Sequence, residues 1–79
     1  MDFEEFYAKH SPRWEDLPVL PYGWTFAAMN VIPIKAKLPS YWCSLIAVKH
    51  MPEKQIWAAS RSLEGAVWDI LSQIEWEER

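Results

Sequence analysis

Seventy-nine residues, 51% hydrophobic and 24% charged, make a globular chain with room for one small core, which excludes a disordered tail. A formal charge of −3 and a pI near 5.2 argue against general affinity for nucleic acid or acidic membranes, yet are too mild for a DNA mimic. One cysteine, Cys43, excludes an internal disulfide; no His/Cys cluster has metal-ligand spacing, and no apolar run nears the roughly 20 residues that span a bilayer.

The opening MDFEEFYAKH is acidic and aromatic, unlike a signal peptide, so a cytoplasmic location is expected. Residues 2–10 read as a short helix. Asp2 is placed to cap it, Glu4 and Glu5 suit its positive end, and Lys9 and His10 suit its negative end. Phe3, Phe6 and Tyr7 form one aromatic stripe, and Pro12 stops the helix. So short a helix is marginal alone and needs a surface to dock on. Residues 11–23 hold three prolines and a glycine, a connector anchored by Trp14, Leu17, Val19 and Leu20. A first strand is predicted from Trp24 to about Ile32 by β-propensity. Pro33 and Pro39 then flank IKAKL, an edge or a wide basic turn.

A second strand runs from Tyr41 to Lys49, HMPEK turns the chain, and a third strand runs from about Gln55 to Ser60. The last element is the clearest. Ser62 caps a helix whose stripe is Leu63, Ala66, Val67, Ile70, Leu71 and Ile74. Gly65 costs such a helix roughly 1 kcal/mol against alanine, which suggests close approach to the sheet. The glutamates of EWEER oppose the helix dipole, so fraying is expected there.

SYWCSLIAVKH is apolar on both sides of a strand, and a chain this short has little with which to cover both. A hairpin centred on HMPEK pairs Val48 with Ile56 and Ala47 with Trp57. One face then holds Cys43, Leu45, Ala47, Trp57 and Ala59, and its small residues suit the C-terminal helix. The other holds Trp42, Ser44, Ile46, Val48, Ile56, Ala58 and Ser60. Either the N-terminal aromatics and connector cover that second face, or another molecule does.

Nothing in the chain assembles catalytic chemistry. His10 and His50 sit at element ends beside lysines, Cys43 lies mid-strand in an apolar segment, and Glu15 and Asp16 occupy a proline-flanked loop. With two glycines there is no phosphate-cradling loop. Each of these groups reads better as structural or solvated, and no enzyme activity, metal or cofactor is expected. Trp68 lies off the helix stripe and Trp76 near the chain end, placements that suit an interface as well as a core border.

The span QIWAASRSLEGAVWDILSQI resembles the strand-into-helix junction of HicB-type antitoxins, with Ser62 to Val67 as the capped helix start. Arg61 stands where those proteins usually have glycine, and no helix-turn-helix follows. The resemblance implies a strand–strand–strand–helix topology and nothing about activity.

The expected fold is therefore α+β, a single domain over 1–79 of αβββα order. A three-stranded antiparallel meander packs against a C-terminal helix within 24–79, and residues 1–23 supply the short helix and connector. The expected function is a non-catalytic protein-binding module: an inhibitor, adaptor or accessory protein of the kind phages and mobile elements carry, or a homodimer. Trp42, Ile46, Val48, Ile56, Trp68 and Trp76 are its candidate interface residues. A less favoured alternative is nucleic-acid binding through Lys35, Lys37, Tyr41 and Trp42.

Overall fold

A computed structural model describes residues 2–79; Met1, the first residue of the expected domain, lies outside the described residues. Helix α1 spans Phe3–His10 and a 3₁₀ turn spans Trp14–Asp16. Strands β1 (Thr25–Ile34), β2 (Ser40–His50) and β3 (Glu53–Ser60) follow, then helix α2 (Leu63–Glu77). The strands form one antiparallel sheet in the order β1-β2-β3, so the αβββα arrangement is as predicted.

Helix α2 starts where its capping chemistry says it should: Ser62 Oγ accepts from the Gly65 amide at 3.0 Å. Its buried stripe, Ala66, Ile70 and Ile74, lies against β2 and β3. A Cβ on Gly65 would collide with the Ser60 side chain, so the missing methyl is what lets the helix start lie this close to β3. The core comprises Cys43, Leu45 and Ala47 from β2, Ile56 and Ala58 from β3, and the α2 stripe. Leu20 and Trp24 complete it from the connector. Pro21 to Trp24 turn the chain into β1, with the Trp24 amide donating to the Pro21 carbonyl at 3.2 Å and both Tyr22 and Gly23 at positive φ.

Strand β1 runs past Ile32 through Pro33 to Ile34. Proline is tolerated there because β1 is an edge strand with one side free of partners. A bulge between Phe26 and Ala28 leaves Ala27 unpaired.

Three expectations need correction. The β2–β3 turn is only Met51 and Pro52, joined by a cis peptide, with His50 paired to Glu53. Ala47 therefore faces Ile56, and Ile46 faces Trp57, one residue off the predicted register. Such a slip exchanges the faces of β3: Ile56 and Ala58 go to the helix side, Trp57 and Ala59 to the other. Second, α2 does not fray at its glutamates, because Glu77 and Glu78 bond to Lys54 and Lys49 on the sheet. Third, Asp2 sits at the start of α1 without a side-chain cap bond.

Candidate functional site: the open face of the sheet

Alternation along the strands assigns the face away from α2. It holds Thr25, Ala28, Asn30, Ile32 and Ile34 of β1, then Trp42, Ser44, Ile46 and Val48 of β2. Gln55, Trp57 and Ala59 of β3 continue it. Two cross-strand groups organise this surface. Ile32 pairs with Trp42 at one end, and Ala28, Ile46 and Trp57 form a row across the middle. Trp57 is 61% exposed, Ile32 47% and Trp42 43%, so these side chains are not sealed by the rest of the chain.

A sheet with one solvated face normally alternates apolar inside with polar or charged outside. Here the interior of the open face carries no charge, and charge occurs only at its ends: Glu53 at the β2–β3 turn and Arg61 just past β3. The Arg61 guanidinium stands over the Trp42 ring, 5.8 Å from its centroid.

The N-terminal segment does not close this face. No residue of α1 is buried, and Trp14 is half exposed. Leu17 and Leu20 pack instead into the cluster under α2. Phe3 meets the Lys35 ammonium at 5.5 Å, which places the start of α1 near the end of β1. A groove of about 260 Å³ lined by Trp14, Leu17, Val19, Trp24 and Phe26 runs beside the connector.

The predicted interface residues thus divide. Trp42, Ile46 and Val48 share the open face. Ile56 does not: at 8% exposure it belongs to the core, a consequence of the corrected register. Trp68 and Trp76 are exposed, but on α2, across the sheet from that face. Lys35 and Lys37 are exposed in and beside the β1–β2 turn, and Tyr41 is half-buried on the helix side, opposite to Trp42. Trp57, Ile32 and Arg61 were missed. For Trp57 and Arg61 the signal is the proline in HMPEK, which permits a tight two-residue turn and so the β2–β3 register that puts them on this face; for Ile32, on the β1–β2 side, it is no guide.

Groups of possible chemical interest are placed as follows. Cys43 is fully buried, and burial pushes its thiol pKa up, away from the thiolate a nucleophile needs. Asp16 accepts from the Arg13 amide at 3.1 Å in the loop it helps to shape. Among the described residues no group of three or more His, Cys, Asp or Glu is arranged to hold a metal ion, and no helix is long and apolar enough to cross a membrane.

Compared with models of known families, with curated proteins and with solved structures, the chain matches none. No family is assigned.

Proposed function

We propose that this chain is a non-catalytic protein-binding module that works through the open face of its sheet. The observation carrying this reading is the uncharged interior of that face, with Trp42, Trp57 and Ile32 standing out of it. Exposed aromatic anchors ringed by small residues are what protein interfaces use, and solvent does not require them. A cytoplasmic setting belongs to the same proposal, the lone cysteine being compatible with a reducing compartment.

The test is affinity capture from the native cell with the wild-type chain and with the Trp42→Ala/Trp57→Ala variant, both checked for native circular dichroism. Partners retained by the first at ~0.5 M salt and lost by the second support the reading. Capture indifferent to both substitutions rejects it. Each Trp-to-Ala change is expected to cost roughly 2 kcal/mol of binding.

Single-stranded nucleic acid is the second reading, favoured by one observation: Arg61 brings a cation onto the Trp42 ring at the end where Lys35 and Lys37 lie. Against it, Tyr41 faces the other side of the sheet. Oligonucleotide binding that falls steeply with salt would establish it in place of the first.

A further inference from the structure

We propose that the occupant of the open face is a second copy of this chain, laid face to face about a two-fold axis running across the strands. This rests on the reading that the open face is the binding surface.

The face is self-complementary when reversed along the strands. On β3 its residues run Glu53, Gln55, Trp57, Ala59 and then Arg61, so the acidic and basic ends are equidistant from the central tryptophan. On β2, Trp42 and His50 are equidistant from Ile46, the residue paired with Trp57. An axis through the Ala28–Ile46–Trp57 row therefore sets each Trp42–Arg61 corner on the second copy's His50–Glu53 corner, twice. A two-fold along the strands would instead bring Arg61 toward the second copy's Lys35 and Lys37, cation to cation. Isologous contact with matched charges is what a two-fold dimer needs.

Lateral strand addition is disfavoured at both edges. At β3 the Trp57 carbonyl, in mid-strand, already accepts from Gln73 Nε2 at 2.8 Å. At β1 the bulge at Ala27 and Pro33 interrupt the edge. Of the two ways the sheet itself can associate, stacking on the face is the one left open.

Nine strand residues at ~3.3 Å and three strands ~4.8 Å apart give on the order of 400 Å² of sheet per copy. That is about half the ~800 Å² per partner of a standard interface, before the projecting tryptophans are counted, which places the dimer among the weaker, concentration-dependent associations.

Sedimentation equilibrium of the full chain from ~1 µM to ~1 mM should show mass rising toward the dimer. Glu53→Arg or Arg61→Glu alone should weaken the dimer about tenfold or more at low salt by setting like charges together. The double charge swap should restore it to within about threefold, and Trp57→Glu should abolish it. A monomer throughout the range, or a dimer unmoved by the single swaps or not rescued by the double one, overturns the inference. These swaps sit at exposed strand ends, so they test it even where Trp57→Glu fails to fold. A monomer that still loses captured partners on the Trp42→Ala/Trp57→Ala change defeats the dimer and leaves the binding reading standing. A dimer unmoved by that change defeats the face-to-face dimer, and only capture that is equally unmoved defeats the binding reading as well.

Discussion

At the scale of single residues, the C-terminal glutamate holds three parts of the chain together. Glu78 accepts from Trp24 Nε1 at 3.0 Å and pairs with Lys49, joining the end of α2 to the connector and to β2. The Lys49 hydrogen bond, and then that of Trp24, pull the Glu78 pKa below its ordinary value. A carboxylate with a depressed folded-state pKa stabilises the fold above the ordinary carboxylate range and loses that contribution as pH falls through the folded value. Thermal melts of wild type and Glu78→Gln should therefore differ at neutral pH, with wild type higher, and converge on acidification. A pH-independent gap would contradict this origin. Gly65 offers a second test. In an open helix Gly65→Ala gains about 1 kcal/mol, but here the new methyl meets Ser60. A double-mutant cycle should show Gly65→Ala less favourable in wild type than in a Ser60→Gly background, by roughly 1 kcal/mol or more in urea denaturation.

At the scale of elements, what could be read from the chain depended on whether the cause was local. The α2 start and its stripe follow from Ser62 and the spacing of Leu63 to Ile74, and both appear as predicted. Glu53 and Lys54 look like turn residues, so a third strand starting near Gln55 is two residues shorter than the one the chain forms. They pair instead with His50 and Lys49, and the adjacent lysines are each neutralised by a glutamate from the end of α2. Those partners are distant in sequence, so neither the extra strand length nor the unfrayed helix end was visible locally. The register error followed directly, and with it the exchange of Ile56 for Trp57 in the candidate site. Another local strain lies in the turn before β1, where Tyr22 adopts φ 60 although it is not glycine. A left-handed conformation costs an ordinary residue roughly 1–2 kcal/mol, less for asparagine. Tyr22 is 65% exposed, so little packing is at stake. Tyr22→Asn should accordingly stabilise the chain by up to ~1 kcal/mol in urea denaturation; a loss of stability would mean that the Tyr22 ring contributes more than its strain costs.

At the scale of the whole molecule, the question is whether the aromatic N-terminus belongs to the fold that the sheet and α2 make. A 79-residue domain has an expected radius of gyration of roughly 12 Å, whereas the chain measures 14.0 Å with a long axis of 45 Å. The excess length accords with α1, which stacks Phe3 on Tyr7 and Phe6 near His10 but buries none of its residues. The core stands on the other elements: α2 covers one face, Leu20 and Trp24 extend that cover, and Cys43, Leu45 and Ala47 lie fully beneath it. Removing residues 1–10 should therefore cost less than ~1 kcal/mol, as for the loss of few buried apolar contacts, and leave the urea transition cooperative. Leu45→Ala, which hollows the centre of the core, should cost about 2–5 kcal/mol under the same conditions. Acrylamide quenching supplies the complementary reading, with Trp57 followed through the difference between wild type and Trp57→Phe. Its accessibility should be the same with and without residues 1–10, because α1 does not shield the open face. A truncated chain that unfolds would show that the leading helix is part of the fold, and one that stays folded with Trp57 markedly more quenchable would show that this helix closes the sheet and that the open face is not free to bind.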